Sequence, residues 1–317
     1  MNSIENYNVN LMKFHFPSKK KHILNEITED VFVINLLSNK LRRNYIIMLM
    51  KKYKINFTLV IVETIPNHLY NILNKNKKLT KGELGCTLSH MWCLNKIITD
   101  NLKSAVILED DIIFHKDFKQ MCTNIFQLQT YDFLLLGACD FSFSKMNFEF
   151  VNSNGLYRPH PSSLKVYGAH AIFYSSQGAK KMFEYINENI YFIDRNFHCI
   201  FEFFPNTSFI CYPNLIVSDI STTNIGHTYP FFSENEKNYY LDCFRDFQFT
   251  DYNFFYLSLF TNLNSRSLSI LEIDNYEIFI NKLIEVLFPN IEQQIILKKR
   301  LSCDFFTMND LKLILNF

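Results

Sequence analysis

Short runs of apolar, largely β-branched residues alternate with stretches of helical spacing up to residue 136, and this restricts the fold more than any other feature of the chain. Val31–Leu36, Phe57–Val62, Ala105–Leu108 and Phe133–Leu136 are each too short for a helix and apolar on both sides, the pattern of strands buried on two faces. Between them, Arg42–Lys52 sets Ile46, Leu49 and Met50 at helical spacing. Glu83–Asp100 places Leu84, Leu88, Met91, Leu94 and Ile98 on one helix face, and Phe118–Leu128 reads as a further helix. Such alternation predicts an α/β sheet of mainly parallel strands, with ligand-binding groups at the strand carboxyl ends.

Further along, residues 138–165 are polar and irregular, which suits a loop covering a site. His170–Tyr174 reads as another strand. Ser175 is a helix N-cap ahead of Ala179, Met182, Phe183 and Ile186, and Phe209–Cys211 is a short strand. Residues 1–29 show no period and read as an irregular lead-in, and 67–81 form a polar segment without a long apolar period. Beyond residue 230 the texture changes. Residues 239–260 are dense in aromatics, and 276–287, 291–301 and 309–315 have helical spacing. The expected organisation is therefore a lead-in (1–29), a sheet domain (30–230) and an aromatic-rich, mainly helical extension (231–317), whose apolar helices offer a surface for a homodimer.

Charge and cysteine usage narrow the function classes. The net charge of +1, from 32 basic and 31 acidic residues, gives no broad basic face for nucleic acid. Lys19–Lys21 is the most concentrated basic run and reads as a solvated tail. Eight cysteines are scattered without a CxxC pair, so neither a zinc ribbon nor a disulfide scaffold is indicated, and free thiols in a reducing compartment are expected. No signal-peptide pattern occurs at Met1, and no apolar run reaches the ~18 residues of a membrane span. These absences lead to the expectation of a cytoplasmic protein, bacterial or in a host cell infected by a virus.

The sharpest chemical feature is Glu109-Asp110-Asp111, directly after an apolar strand. Three adjacent carboxylates repel one another, and a hard divalent cation relieves that repulsion through oxygen ligands. Such a cation can bridge two phosphates and stabilise the charge that develops as a nucleoside diphosphate leaves. The same triplet also fits a solvated acidic turn. Its neighbourhood favours the first reading: Gly82–His90 opens the preceding helix, Gly85 permits close backbone packing, and the helix start offers N–H groups to phosphate. Ser89 and His90 follow as candidates for the same pocket, although His90 also fits a structural histidine with its own partner. The absence of a Gly-rich phosphate loop disfavours a P-loop nucleotidyltransferase.

The segment Gly82-Glu-Leu-Gly-Cys-Thr-Leu-Ser-His90, followed by Ala105-Val-Ile-Leu-Glu-Asp-Asp111, resembles the signature of glycosyltransferase family 25. That family includes bacterial lipooligosaccharide galactosyltransferases and procollagen galactosyltransferases. Val33-Ile-Asn-Leu36 with Arg42-Arg43 is similar to its opening strand and paired arginines. Tyr131–Gly137, Gly168–Ser175, Gly178-Ala179 and Ile193-Asp194 follow in matching order. The likeness spans about residues 30–225. It implies a GT-A fold with a Rossmann-like nucleotide-sugar-binding sheet, a UDP-sugar donor, dependence on manganese (or magnesium), and inversion at the anomeric carbon. Carried over, Asn35, Leu36, Arg42 and Arg43 would lie near the nucleotide, and Gly85, Ser89 and His90 near the donor. Asp111 would be the direct metal ligand, with Glu109 and Asp110 serving the metal or the ribose. Asp194 is the candidate base for the acceptor hydroxyl, with Asp140 and Asp219 as rivals, and His227 is a candidate late metal ligand. The family often has a basic residue soon after the opening Asn-Leu, where this chain has Leu37 and Ser38. The expected activity is transfer of a hexose, galactose or glucose, from a UDP-sugar to a glycan or glycoprotein. A nucleotide-sugar hydrolase and a degenerate fold acting as a glycan-binding module are the alternatives.

Overall fold

The computed structural model describes residues 9–17, 22–74, 79–115, 117–138, 148–152, 155–159, 166–211 and 214–218. Its elements in chain order are β1 (Val9–Phe14), α1 (Ile23–Ile27), β2 (Asp30–Leu36), α2 (Lys40–Tyr53), β3 (Phe57–Val62), α3 (Asn67–Leu73), α4 (Lys81–Thr99), β4 (Ser104–Glu109), β5 (Ile112–Phe114), α5 (Phe118–Leu128), β6 (Phe133–Leu135), β7 (Phe148–Asn152), β8 (Leu156–Pro159), β9 (Ala171–Ser175), α6 (Ser176–Glu188), α7 (Phe197–Phe203), β10 (Ser208–Cys211) and β11 (Ile216–Ser218). A 3-10 turn, Asp194–Asn196, leads into α7.

Nine strands form one sheet in the order β1-β3-β2-β4-β9-β6-β10-β8-β7, and β11 pairs with β5 in a separate ribbon. Each central strand divides its side chains between two cores. Val60 and Val62 of β3, Ala105 and Ile107 of β4, and Ile172 and Tyr174 of β9 pack with α4, α6 and α7. Leu59 and Ile61, Val106 and Leu108, and Ala171 and Phe173 face the other way, against α1, α2 and α5. The apolar runs lack alternation because both sheet faces are covered.

The sheet is mixed, which corrects the expectation of mainly parallel strands. β2 runs parallel to β3 and β4, and β6 runs parallel to β10. β9, however, is antiparallel to both β4 and β6, and β1, β7 and β8 join in antiparallel pairings. The lead-in also contains structure: β1 is an edge strand on β3, and α1 packs Leu24 into the second core. Likewise 67–81 includes α3, and 138–165 includes β7 and β8. The extension 231–317, with its dimer surface, lies outside the described residues.

β2, β3 and β4 position the site. α2 returns the chain from β2 to β3 along one face, and α4 carries it back past β2 to β4 along the other. The chain leaves β2 for β3 on one side and leaves β4 toward β6 on the other, so a crevice opens beyond the carboxyl ends of these strands.

Candidate functional site

A cavity of about 430 Å³ occupies that crevice. Ile34 and Leu36 of β2, Val62 of β3 and Glu109 of β4 contribute its floor, and Lys81, Gly82, Gly85, Cys86 and Ser89 of α4 contribute a wall. Arg42, Asp110 and Asp111 complete it. Leu36, Arg42, Gly85, Ser89 and the whole triplet are thus brought together from among the expected site residues.

The triplet is held asymmetrically. β4 ends at Glu109, and Asp110-Asp111 form the turn into β5. The side chain of Asn39 accepts the Arg42 N–H at 3.2 Å as the N-cap of α2, which sets Arg42 in the helix's first turn. From there Arg42 Nη1 donates to Asp110 Oδ1 at 3.1 Å and to Asp111 Oδ2 at 3.0 Å. Asn35 Nδ2 donates to Asp110 Oδ2 at 2.6 Å, and Arg43 Nε donates to Asn35 Oδ1 at 2.7 Å. Both oxygens of Asp110 are therefore engaged. Asp111 Oδ1 is buried with no hydrogen-bond partner among the described residues.

The surroundings act differently on the three carboxyls. Burial pushes the Asp111 carboxyl up to about 7 against the attraction of Arg42, with Glu109 and Asp110 adding like-charge repulsion. Asp110 is also raised, chiefly by burial, despite Arg42 and Asn35. Burial would raise Glu109 as well, but a hydrogen bond and the charge of His90 outweigh it and hold this carboxyl below its usual range. His90 Nε2 lies 3.2 Å from Glu109 Oε1, and the Cys86 thiol donates to the same oxygen at 3.4 Å.

The remaining site residues stand further back. Asn35 and Arg43 do not line the cavity; Arg43 Nη2 also donates to the carbonyl of Leu37 at 2.6 Å, so this arginine braces the end of β2. The start of α4 differs from a bare phosphate cradle. Thr80 and Glu83 form a capping box in which Thr80 Oγ1 accepts the Glu83 N–H and Glu83 Oε2 accepts the Thr80 N–H, which puts an acidic side chain at that end. Lys81 and Glu63, not singled out from the sequence, line the cavity.

Asp194 sits in the 3-10 turn, where its Oδ2 accepts the Gly168 N–H at 3.2 Å. Gly168 has φ 103°, a left-handed backbone that suits glycine. Burial raises the Asp194 carboxyl, and the charge of Glu109 adds to the rise. Asp194 does not line the cavity. Asp140, Asp219 and His227 lie outside the described residues. His170, noted from the sequence as part of a strand, donates through Nε2 to the Ile216 carbonyl at 3.1 Å, and burial lowers its basicity. Gly137 lets these groups meet: a Cβ there would fall 1.7 Å from the Ile216 oxygen.

A helix-covered sheet with a crevice at a topological switch point is a Rossmann-like architecture. The family model for glycosyltransferase family 25 (LPS biosynthesis protein) matches residues 28–196, more than half of the chain, and the chain belongs to that family. It is similar to procollagen galactosyltransferase 1 of Danio rerio, at 31% identity over 115 residues, covering 31% of this chain and 19% of that protein. It is also similar to a procollagen lysyl hydroxylase and glycosyltransferase of Acanthamoeba polyphaga mimivirus, at 28% identity over 133 residues (34% and 14%). A third relative, probable inactive glycosyltransferase 25 family member 3 of Bos taurus, is 38% identical over 58 residues (18% and 9%). In each case the match spans less than a fifth of the relative's length. None of the described helices is long and apolar enough to cross a membrane.

Proposed function

We propose that this chain is a metal-dependent, inverting glycosyltransferase that moves a hexose, galactose or glucose, from a UDP-sugar to a glycan or glycoprotein acceptor. The observation that carries this reading is the buried Asp111 Oδ1, which lacks a partner among the described residues and belongs to the wall of the crevice beyond β2, β3 and β4. A buried acceptor oxygen without a partner is costly unless something fills its lone pairs.

The donor set suits a hard cation. Asp111 would hold manganese or magnesium through Oδ1 while Oδ2 keeps its bond to Arg42, and Glu109 stands beside it. Bound there, the cation supplies neutralisation of the diphosphate charge as the sugar leaves. Asp110 is a positioning residue: bonded to both Asn35 and Arg42, it fixes the turn that presents Asp111. Lys81 adds a positive charge to the wall for the diphosphate. Asp194, its carboxyl raised by burial, would take the proton from the acceptor hydroxyl. The relatives' names point to galactose as the sugar and to collagen-like chains as one acceptor class.

The experiment is a panel of UDP-sugars with and without Mn²⁺, comparing wild type with Asp111→Ala. The expected outcome is metal-dependent UDP release from one donor and transfer to an added acceptor, both lost in the variant. Release without transfer would instead support a nucleotide-sugar hydrolase. Neither UDP binding nor release would leave the degenerate, glycan-binding reading, which the bovine relative's name brings into view.

A further inference from the structure

One turn into α4, Cys86 and His90 lie four residues apart and therefore on one helix face. That face meets the end of β4, where Glu109 Oε1 lies 3.4 Å from Cys86 Sγ and 3.2 Å from His90 Nε2. One ligand atom from each residue falls within 4.8 Å of the other two. We propose that Cys86, His90 and Glu109 form a binding site for a thiophilic divalent cation of the zinc class, which shares Glu109 with the hard-cation position at Asp111.

Geometry and chemistry both support the assignment. Tetrahedral zinc, with bonds of about 2.0–2.3 Å to oxygen, nitrogen and sulfur, sets its ligand atoms roughly 3.3–3.7 Å apart. The separations of Glu109 from Cys86 and His90 are close to that span, and Cys86 and His90 lie within 4.8 Å of one another, so the three ligand atoms already converge on one point. A sulfur–nitrogen–oxygen set selects zinc or cobalt over manganese or magnesium, whereas a carboxylate oxygen such as Asp111 Oδ1 suits the harder ions. Cys86 and Glu109 line the cavity, so an ion held here would keep a face toward it for a fourth ligand. On binding, the thiol proton leaves to solvent and the thiolate sulfur takes the metal, with no change of oxidation state.

The site is built for weak, reversible binding rather than for a permanent structural ion. A metal-bound imidazole ordinarily donates its other N–H to a carboxylate or carbonyl, and losing that partner weakens binding about 10–100-fold. His90 Nδ1 is buried with no partner among the described residues. Because Glu109 belongs to both clusters, a zinc-class ion held here withdraws Glu109 from the hard-cation site. That antagonism rests on the proposed transferase function; the binding itself does not.

The test uses the full chain, stripped of metal and titrated with Co²⁺, whose thiolate complexes show a charge-transfer band in the near ultraviolet. We expect the band in wild type, displaced by Zn²⁺ but not by Mn²⁺. It should persist in Asp111→Asn and vanish in Cys86→Ser, whose thermal melt reports whether the variant is folded. No band in folded wild type, or a band that survives in Cys86→Ser, overturns the proposal. Neither result depends on transferase activity, so failure here is distinct from failure of the UDP-sugar assay.

Discussion

With no metal bound, the Asp111 carboxyl is held at about 7, first by burial, so near neutral pH a cation must compete with a proton for it. The sign follows. Below about 7 the folded chain carries this proton, and binding at Asp111 must expel it; above about 7 it need not. Apparent Mn²⁺ affinity should therefore fall by nearly tenfold per pH unit below 7 and level off above it. Calorimetry in two buffers of different ionisation enthalpy should register about one proton released per ion at pH 6 and few at pH 8. A flat profile would remove Asp111 from the metal site. The sequence located the triplet and favoured Asp111 within it through family resemblance. It did not reveal why Asp110 is different, because the partners that occupy Asp110 are Asn35 and Arg42, 75 and 68 residues away. Cys86 was legible in retrospect through its i, i+4 spacing to His90, but the carboxylate that completes the group comes from another element.

Among the elements, those with a strong apolar period were readable, and α5 and β3 fall on their expected bounds. β1 was not, because its burial runs i-e-e-e-e-i and leaves neither alternation nor an apolar run to detect. The short helix α1 was hidden for another reason: its cap is a histidine. His22 Nδ1 accepts the Leu24 N–H at 3.2 Å, and the ring stacks on Phe118 with centroids 5.7 Å apart. Only the neutral ring can accept that bond, and burial, followed by the nearby Lys119, lowers the pKa to about 4. The folded pKa lies below the unfolded value of 6.5, so stability from this group is full above 6.5 and is lost as pH falls toward 4. The loss amounts to at most about 3 kcal/mol. His22→Asn, which caps without charging, should flatten the difference in urea stability between pH 7 and pH 4.5. An unchanged difference would mean that α1 is not anchored through this ring. Gly178 is a second case in which the sequence showed a match without its reason. A Cβ at Gly178 would sit 2.0 Å from the Asp132 carbonyl oxygen. Asp132 cannot easily yield, since its carboxylate is bonded by Ser175 and Thr207, each at 2.6 Å. Gly178→Ala should cost at least the upper end of the about 1–3 kcal/mol typical of overpacking, read as a lower urea midpoint. A neutral result would mean α6 can shift freely on the sheet.

For the whole molecule, what escaped sequence reading was strand direction. β9 is apolar on both faces, so it reads the same whether parallel or antiparallel to β4, and only the folded chain shows that it runs against its neighbours. The crevice is insensitive to this, because it depends on β2, β3 and β4, which are parallel. That places the proposed donor site across three strands and the start of α4, within a single sheet whose two cores unfold together if the domain is cooperative. Ligands that bind only the folded state should then stabilise all of it. At a hundredfold excess over Kd a ligand contributes about 2.7 kcal/mol. For a sheet domain of this size each kcal/mol moves Tm by roughly 2–4 °C. If a cation at Asp111 and the diphosphate of UDP complete one another's coordination, neither alone should give the full effect. UDP with Mn²⁺ should raise Tm by more than the sum of the separate shifts, and Asp111→Asn should abolish that excess while leaving the shift due to Zn²⁺. Equal UDP shifts with and without Mn²⁺ would uncouple the cation from the nucleotide, and the acidic turn would then be a feature of the fold alone.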